Sequence, residues 1–111
     1  MKSIVPVVVL LLAGLPQIVQ ARTRTVHANQ TSNCNKHPAT VTVLGPATVT
    51  CLNPTQSLEK PGHPPASCYV TGPGVAQQVA KDGNVEINEA GTITLSCQGS
   101  GSLTCSARIE D

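Results

Sequence analysis

The residues of this sequence with the clearest chemical potential are its five cysteines, Cys34, Cys51, Cys68, Cys97 and Cys105. No two of them form the C-x-x-C pair of a zinc ribbon or a thioredoxin-type redox site. Cysteines of a small domain pair as disulfides in an oxidising compartment, and an odd number leaves at least one unpaired or bonded to another molecule. The cysteines therefore predict a structural framework.

The other reactive side chains do not form a recognisable catalytic group. Ser100 and Ser102 lie in a Gly-Ser turn that lacks the G-x-S-x-G pattern and following helix of a nucleophile elbow. Glu86 and Glu89 are expected on a strand face and in a turn. The histidines lie in predicted loops without the i, i+4 spacing of a helical zinc site: His27, His37 and His63. We therefore expect a protein without enzymatic activity, metal site or cofactor.

Composition argues against charged partners. The chain carries seven basic and six acidic residues, and the loss of Lys2 with a leader peptide would leave equal numbers. A neutral surface gives no electrostatic attraction to nucleic acid or anionic membrane. Tyr69 is the single aromatic residue, whereas base stacking uses several. We therefore expect no nucleic-acid partner and no membrane association after leader removal.

The N-terminal segment 1–21 has the organisation of a signal peptide. Basic Lys2 precedes an apolar run over 4–15, which is shorter than the about 20 residues that a membrane span needs. Val19 and Ala21 then suit the −3 and −1 positions of a cleavage site. We expect cleavage after Ala21 and a secreted, extracellular protein that begins at Arg22.

Asn29 is a candidate glycosylation site. The triplet Asn29-Gln30-Thr31 fits the N-x-[ST] acceptor of secreted eukaryotic proteins. Asn53 begins a similar triplet, but its second residue is the excluded proline. We expect Asn29 to be exposed in a polar stretch near the new N-terminus.

The remaining chain predicts one small all-β domain. Residues 22–39 are polar and are expected to form a flexible arm, and residues 40–111 form the domain. Runs rich in Val and Thr, separated by Gly, Pro, Asn and Asp, are typical of an antiparallel β-sandwich or barrel stabilised by disulfides. About six short strands are expected, over 40–44, 47–52, 67–71, 85–87, 92–98 and 103–109.

Strand pairing is expected to follow chain order. The two T-V-T runs of 40–52 would pair around Gly45-Pro46, and 84–109 would form a three-stranded meander. A hairpin centred on Gly101 places Cys97 opposite Cys105, close enough for a disulfide. The alternative sends each of these two cysteines to a different strand of a facing sheet.

Residues 53–66 contain four prolines and predict a long surface loop without regular structure. Cys51 and Cys68 flank this loop, so their pairing would tether both ends. Cys34 would then remain as a free thiol or as the link of a disulfide-bonded dimer. The loop is also a candidate binding element, unless it only connects two strands; its candidate residues are Leu58, Glu59, Lys60 and His63.

The chain as a whole resembles the small secreted cysteine-containing effectors of plant-pathogenic fungi. The resemblance rests on the leader, the short mature part, the scarcity of aromatic residues, the cysteines and the short strands without an enzyme motif. It implies a β-sandwich tied by one or two disulfides. It also implies an unknown protein partner, such as a host protein, through which host immunity is modulated without catalysis, either outside host cells or after translocation into them. Two alternatives are an inhibitor of a secreted hydrolase that uses loop 53–66 and a self-associating structural or surface protein.

Overall fold

The computed structural model describes residues 22–32, 35–58 and 62–111. The regular elements of these residues are all β-strands, and every pairing between them is antiparallel. In chain order they are β1 (Thr23–Ser32), β2 (Asn35–His37), β3 (Ala39–Val43), β4 (Ala47–Cys51), β5 (Thr55–Gln56), β6 (Ser67–Gly72), β7 (Val75–Val79), β8 (Asn84–Ile87), β9 (Gly91–Gln98) and β10 (Leu103–Glu110). The expected all-β class is confirmed.

The strands form two sheets that enclose one core. Sheet A has the order β2-β1-β10-β4-β8, with β5 also paired to β10, and sheet B has the order β3-β9-β6-β7. The core combines Ile109 and Val49 of sheet A with Ile93, Leu95 and Val70 of sheet B. The arrangement is a small antiparallel sandwich.

Alternation of side chains along the strands places the apolar residues inward. In β10, Leu103, Cys105, Ala107 and Ile109 are buried while the residues between them are exposed or half-buried. Successive residues of a strand point to opposite faces of a sheet, so one face of each strand builds the core. The inward residues expected from the sequence in 92–109 are therefore confirmed.

The expected pairing in chain order is wrong. β8 pairs with β4, β9 pairs with β3 and β6, and β10 pairs with β1, β4 and β5, so no meander forms over 84–109. Likewise β3 lies in sheet B and β4 in sheet A. Two strands that face each other across a core show the same apolar alternation as two strands of a hairpin. The Gly-rich turn 99–102 can connect the strands in either arrangement, so the sequence does not distinguish them.

The expected flexible arm over 22–39 is also wrong for the described residues. β1 pairs with β10 from Thr23, opposite Glu110, to Gln30, opposite Leu103, and its last residues from Asn29 also pair with β2. Its inward face contains half-buried Val26 and buried Ala28, while its outward residues are polar. A strand with so few apolar residues has the composition of a loop. Cys34 lies outside the described residues.

Loop 53–66 contains one short strand. β5 pairs with β10, with Gln56 opposite Leu103 and Thr55 opposite Thr104. Neither β5 residue is a proline, so both retain the amide groups that a ladder requires. The expectation that the whole segment lacks regular structure is corrected by this pairing.

Both disulfides link one sheet to the other. Cys51 of β4 is bonded to Cys68 of β6, and Cys97 of β9 to Cys105 of β10, with Cα–Cα distances of 5.9 and 5.7 Å. Cys68 and Cys97 are register partners in sheet B, so the two bonds are neighbours. Packed sheets are normally about 10 Å apart, so the sheets converge at this point.

Small side chains accompany this convergence. Ala28 is the register partner of Cys105, and Ala107 is the register partner of Cys51. Both alanines are buried, with exposures of 3% and 0%. Larger side chains at these two positions would hold the sheets apart and strain the two bonds.

Removal of either disulfide should lower the free energy of unfolding by about 2–5 kcal/mol, measured by chemical denaturation of Cys97→Ala/Cys105→Ala and Cys51→Ala/Cys68→Ala. The second pair should cost more, because its sequence separation is 17 against 8 and a longer loop loses more entropy when closed. Cys34→Ser is the control and should change stability little. Two double variants as stable as the parent would contradict the inter-sheet bonds.

Candidate binding face

The charged residues of the strands lie in one sheet only. The four strands of sheet B read ATVTV, SCYVTG, VAQQV and GTITLSCQ and contain no Asp, Glu, Lys, Arg or His. The strands of sheet A contain Arg24, Lys36, Glu86, Arg108 and Glu110. The sandwich therefore has one charged side and one uncharged side.

The outward side chains of sheet B form a regular polar array. We call it the hydroxyl face; its members are Thr40, Thr42, Tyr69, Thr71, Thr92, Thr94 and Ser96. Thr94 is the register partner of both Thr40 and Thr71, and Ser96 is the partner of Tyr69. Neighbouring strands are about 4.7–4.9 Å apart, so hydroxyl and methyl groups repeat across the face at that spacing.

Tyr69, the single aromatic residue of the chain, lies on this face. Its register partners are Ser96 on one side and Gln78 of β7 on the other. The side-chain amide of Gln78 donates to Ser67 Oγ at 2.8 Å, which fixes the residue beside the ring. The half-buried Tyr69 thus combines an apolar ring with a hydroxyl on an otherwise uncharged surface.

The charges of sheet A are largely engaged with one another. Arg22 and Arg24 both donate to Asp111 Oδ2, at 3.0 and 2.8 Å, and the Asp111 side chain is only 5% exposed. Asp111 Oδ1 and Arg24 Nε are buried without hydrogen-bond partners, so this cluster is incompletely satisfied. On the outward face of sheet A, Thr48 donates to Glu86, with a 3.0 Å contact to Oε1. These contacts stabilise the ends of the strands.

An open groove borders the hydroxyl face beyond the end of the β6–β7 ladder. Its volume is about 520 Å³. Its walls are Pro54, Pro64, Pro65, Ala66, Ser67, Gln78, Ala80 and Lys81. Gln78 belongs to both the groove wall and the strand beside Tyr69, so the two surfaces are continuous.

Loop 53–66 is fastened to the turn that connects the two sheets. Gln56 Oε1 accepts from the Ser100 amide at 3.0 Å, and its side-chain amide donates to Pro64 O at 3.3 Å. Ser57 exchanges backbone and side-chain hydrogen bonds with Ser102 at 3.0 and 2.8 Å. The loop thus holds the 99–102 turn in place.

The candidate residues of this loop are only partly placed. Leu58 is 51% exposed, and its amide donates to Ser100 O at 3.3 Å. His63 is exposed. Glu59 and Lys60 lie outside the described residues. The described part of the loop therefore presents one apolar side chain on a tethered backbone.

Asn29 lies on sheet A, on the side of the molecule opposite the hydroxyl face. It is exposed in β1, where its register partners are Thr104 and His37. Thr31, the third residue of the acceptor triplet, is exposed as well, while Gln30 between them is buried. A glycan on Asn29 would project from sheet A and leave the hydroxyl face uncovered.

The sequence contained one signal for the hydroxyl face. The T-x-T pattern at 40–42 and again at 92–94 assigns four threonines to outward positions. Their union in one face depends on β3 pairing with β9, which the sequence does not specify.

Comparison of the chain with protein-family models gave no match, and neither did comparison with curated proteins or with solved structures. Among the described residues, no three His, Cys, Asp or Glu side chains are grouped so that they could hold a metal ion. In that same part of the chain no helix has the length and hydropathy to cross a membrane.

Substitution of Gln56 should loosen the 99–102 turn. Gln56→Ala removes two side-chain hydrogen bonds, each worth about 0.5–1.5 kcal/mol net. We expect a loss of unfolding free energy of that order and faster hydrogen exchange at the Ser100 amide. Gln98→Ala, at an exposed position of β9, is the matched control. Unchanged exchange at Ser100 in Gln56→Ala would contradict the tether.

Proposed function

We propose that the protein is a secreted, non-catalytic binding protein of the effector type, which contacts a host protein through the hydroxyl face and thereby modulates host immunity. The observation that carries the proposal is the complete absence of charged residues from sheet B, together with Tyr69 on its outward face. The effector resemblance of the chain supplies the biological setting.

Interface chemistry supports this choice of surface. The centres of protein–protein interfaces are depleted in charged residues and enriched in tyrosine. Burial of the hydroxyl face would desolvate no ion, and its hydroxyl groups can hydrogen-bond to a partner's backbone or amide side chains. The partner should therefore present an uncharged, hydrogen-bonding protein surface, and its affinity should depend weakly on salt.

The two disulfides support secretion, and the fold is compatible with cleavage after Ala21. Two disulfides suit an oxidising compartment. The Arg22 amide donates to Asp111 O at 2.7 Å, and the Asp111 amide donates to Arg22 O at 3.0 Å. Cleavage after Ala21 would leave this pairing of β1 with β10 intact.

The proposal is tested by capture from plant leaf extract on immobilised mature protein, followed by affinity measurement with the purified partner. Thr94→Lys places an unpaired charge at the centre of the hydroxyl face and should weaken binding at least about tenfold, equivalent to 1.4 kcal/mol. Tyr69→Ala should have an effect of similar size. The matched control is Thr25→Lys, on an exposed position of β1 in sheet A.

Three results would contradict the proposal. They are full binding by Thr94→Lys, a loss confined to Thr25→Lys, and an affinity that falls steeply as salt is raised. Thermal unfolding of each variant checks that the fold is retained, since outward polar positions of a strand usually change stability by less than about 0.5 kcal/mol.

Loop 53–66 supports a second candidate, inhibition of a secreted hydrolase. Leu58 is half exposed on a backbone that is hydrogen-bonded to the 99–102 turn, and a pre-ordered apolar side chain suits an enzyme pocket. Stoichiometric inhibition of a secreted protease that is lost in Leu58→Ala would favour this function over the first. The hydroxyl-face variant Thr94→Lys should inhibit normally in that case.

A further inference from the structure

The edges of the two sheets differ in their protection against pairing with another chain. Sheet B ends in β3 and β7, and sheet A ends in β2 and β8. In sheet A, β1 is also open on one side over residues 23–28, which include Arg24, and β5 is open but only two residues long. An edge strand exposes unpaired amide and carbonyl groups, and proteins commonly block them with charged residues, prolines or covering side chains. The edge strand β2 contains Lys36, and β8 contains Glu86. Arg24 donates to the Thr42 carbonyl of β3 at 3.4 Å.

The β7 edge lacks all of these devices among the described residues. Its sequence, Val-Ala-Gln-Gln-Val, contains no charge and no proline. Ala76, Gln77 and Gln78 are exposed. Within the described part of the chain β7 pairs with β6 alone. This strand is therefore open to a further antiparallel neighbour.

The β6–β7 turn shows which backbone groups are free. Gly72 and Val75 are register partners across a two-residue turn of Pro73 and Gly74, and Gly74 has the positive φ of 71° that the third position of a type II turn requires. Partners that close such a turn exchange both hydrogen bonds, and the bonded pairs then alternate. Val75, Gln77 and Val79 thus bond to β6, whereas Ala76 and Gln78 direct their amide and carbonyl groups outward.

These free groups are arranged symmetrically about Gln77. If a second β7 approaches antiparallel around a twofold axis at Gln77, Ala76 lies opposite Gln78 of the second copy, and Gln78 lies opposite its Ala76. Both pairs are then hydrogen-bonded pairs, so four edge groups on each strand find partners. Val75 also lies opposite Val79 of the second copy on one face. No like charges oppose each other in this register, because Lys81 falls opposite Pro73.

We propose that the protein forms a symmetric, non-covalent dimer through β7, in which the two B sheets join into one continuous antiparallel sheet. The occupant of the β7 edge is thus a second copy of this chain. The two hydroxyl faces become a single uncharged surface, so the dimer presents two copies of the binding face side by side. The dimer is argued from the β7 edge alone and does not depend on the proposed function.

Sedimentation of the mature Cys34→Ser protein over a concentration series tests the dimer. This background removes the odd cysteine, so a disulfide-linked dimer cannot contribute. The interface is small, and we expect a reversible monomer–dimer equilibrium with a dissociation constant between about 1 μM and 1 mM. A protein that stays monomeric to about 1 mM overturns the proposal. Binding of an extended segment of another protein to the β7 edge would not rescue it, because the proposed occupant is a second copy of this chain.

Two substitutions test the register. Ala76→Pro removes an outward amide while the hydrogen bonds to β6 remain, since prolines are tolerated where the missing amide would face solvent. Gln77→Lys places two like charges directly opposite each other at the axis, which destabilises a strand pair. Each should raise the dissociation constant at least about tenfold. Thr40→Lys, at an exposed position of the other edge strand β3, is the control and should dimerise normally.

A charge pair at the axis gives the sharpest test. Gln77→Lys alone and Gln77→Glu alone should both be monomeric, whereas an equimolar mixture should form a heterodimer that native mass spectrometry identifies by mass. High salt should reduce the preference for the heterodimer over the two homodimers, because it screens both the attraction of the exposed pair and the repulsion between like charges. Dimerisation of the Gln77→Lys protein by itself, or loss of the dimer in Thr40→Lys but not in Gln77→Lys, would overturn the β7 interface.

Discussion

The close approach of the two sheets at the paired disulfides is the constraint on which the rest of the structure depends. The chain has no Phe or Trp, so its core contains few side chains of large area. Cα–Cα distances below 6 Å at both cystines bring the sheets together there, and Ala28 and Ala107 fill the space that remains. Ile93, Leu95 and Ile109 complete the core with ordinary aliphatic packing. A small domain of this composition needs such cross-links because burial alone supplies little net stability.

The crossing of the chain between the two sheets separates charge from neutral surface. The turns after β3, β8 and β9 each carry the chain to the opposite sheet. Strands with charged residues are gathered in sheet A, where Asp111 engages Arg22 and Arg24. The four strands of sheet B carry no charged residue and expose hydroxyl groups. The proposed binding face is therefore a product of topology, since no segment of the sequence contains it.

Local rules in the sequence predicted much of the fold but not its strand partners. Alternation predicted the inward positions of β9 and β10. The placement of Cys51 and Cys68 on either side of loop 53–66 predicted the bond between them. The hairpin register predicted the bond between Cys97 and Cys105. That register was nevertheless wrong, because facing strands and paired strands have the same period of two. β1 escaped prediction because its inward positions are mostly small or polar. The hydroxyl face and the β7 edge depend on long-range pairing, which local patterns do not encode.

The most direct test of this account is a set of cross-strand nuclear Overhauser effects around β9 in the mature protein. The two-sheet arrangement predicts backbone contacts from Thr94 to Thr40 on one side and to Thr71 on the other, in agreement with the register of sheet B. A hairpin of β9 with β10 would instead produce a ladder of backbone contacts that joins Leu95 to Ala107. Observation of that ladder, with no contact from Thr94 to Thr71, would contradict both the inter-sheet disulfides and the uncharged face built on them.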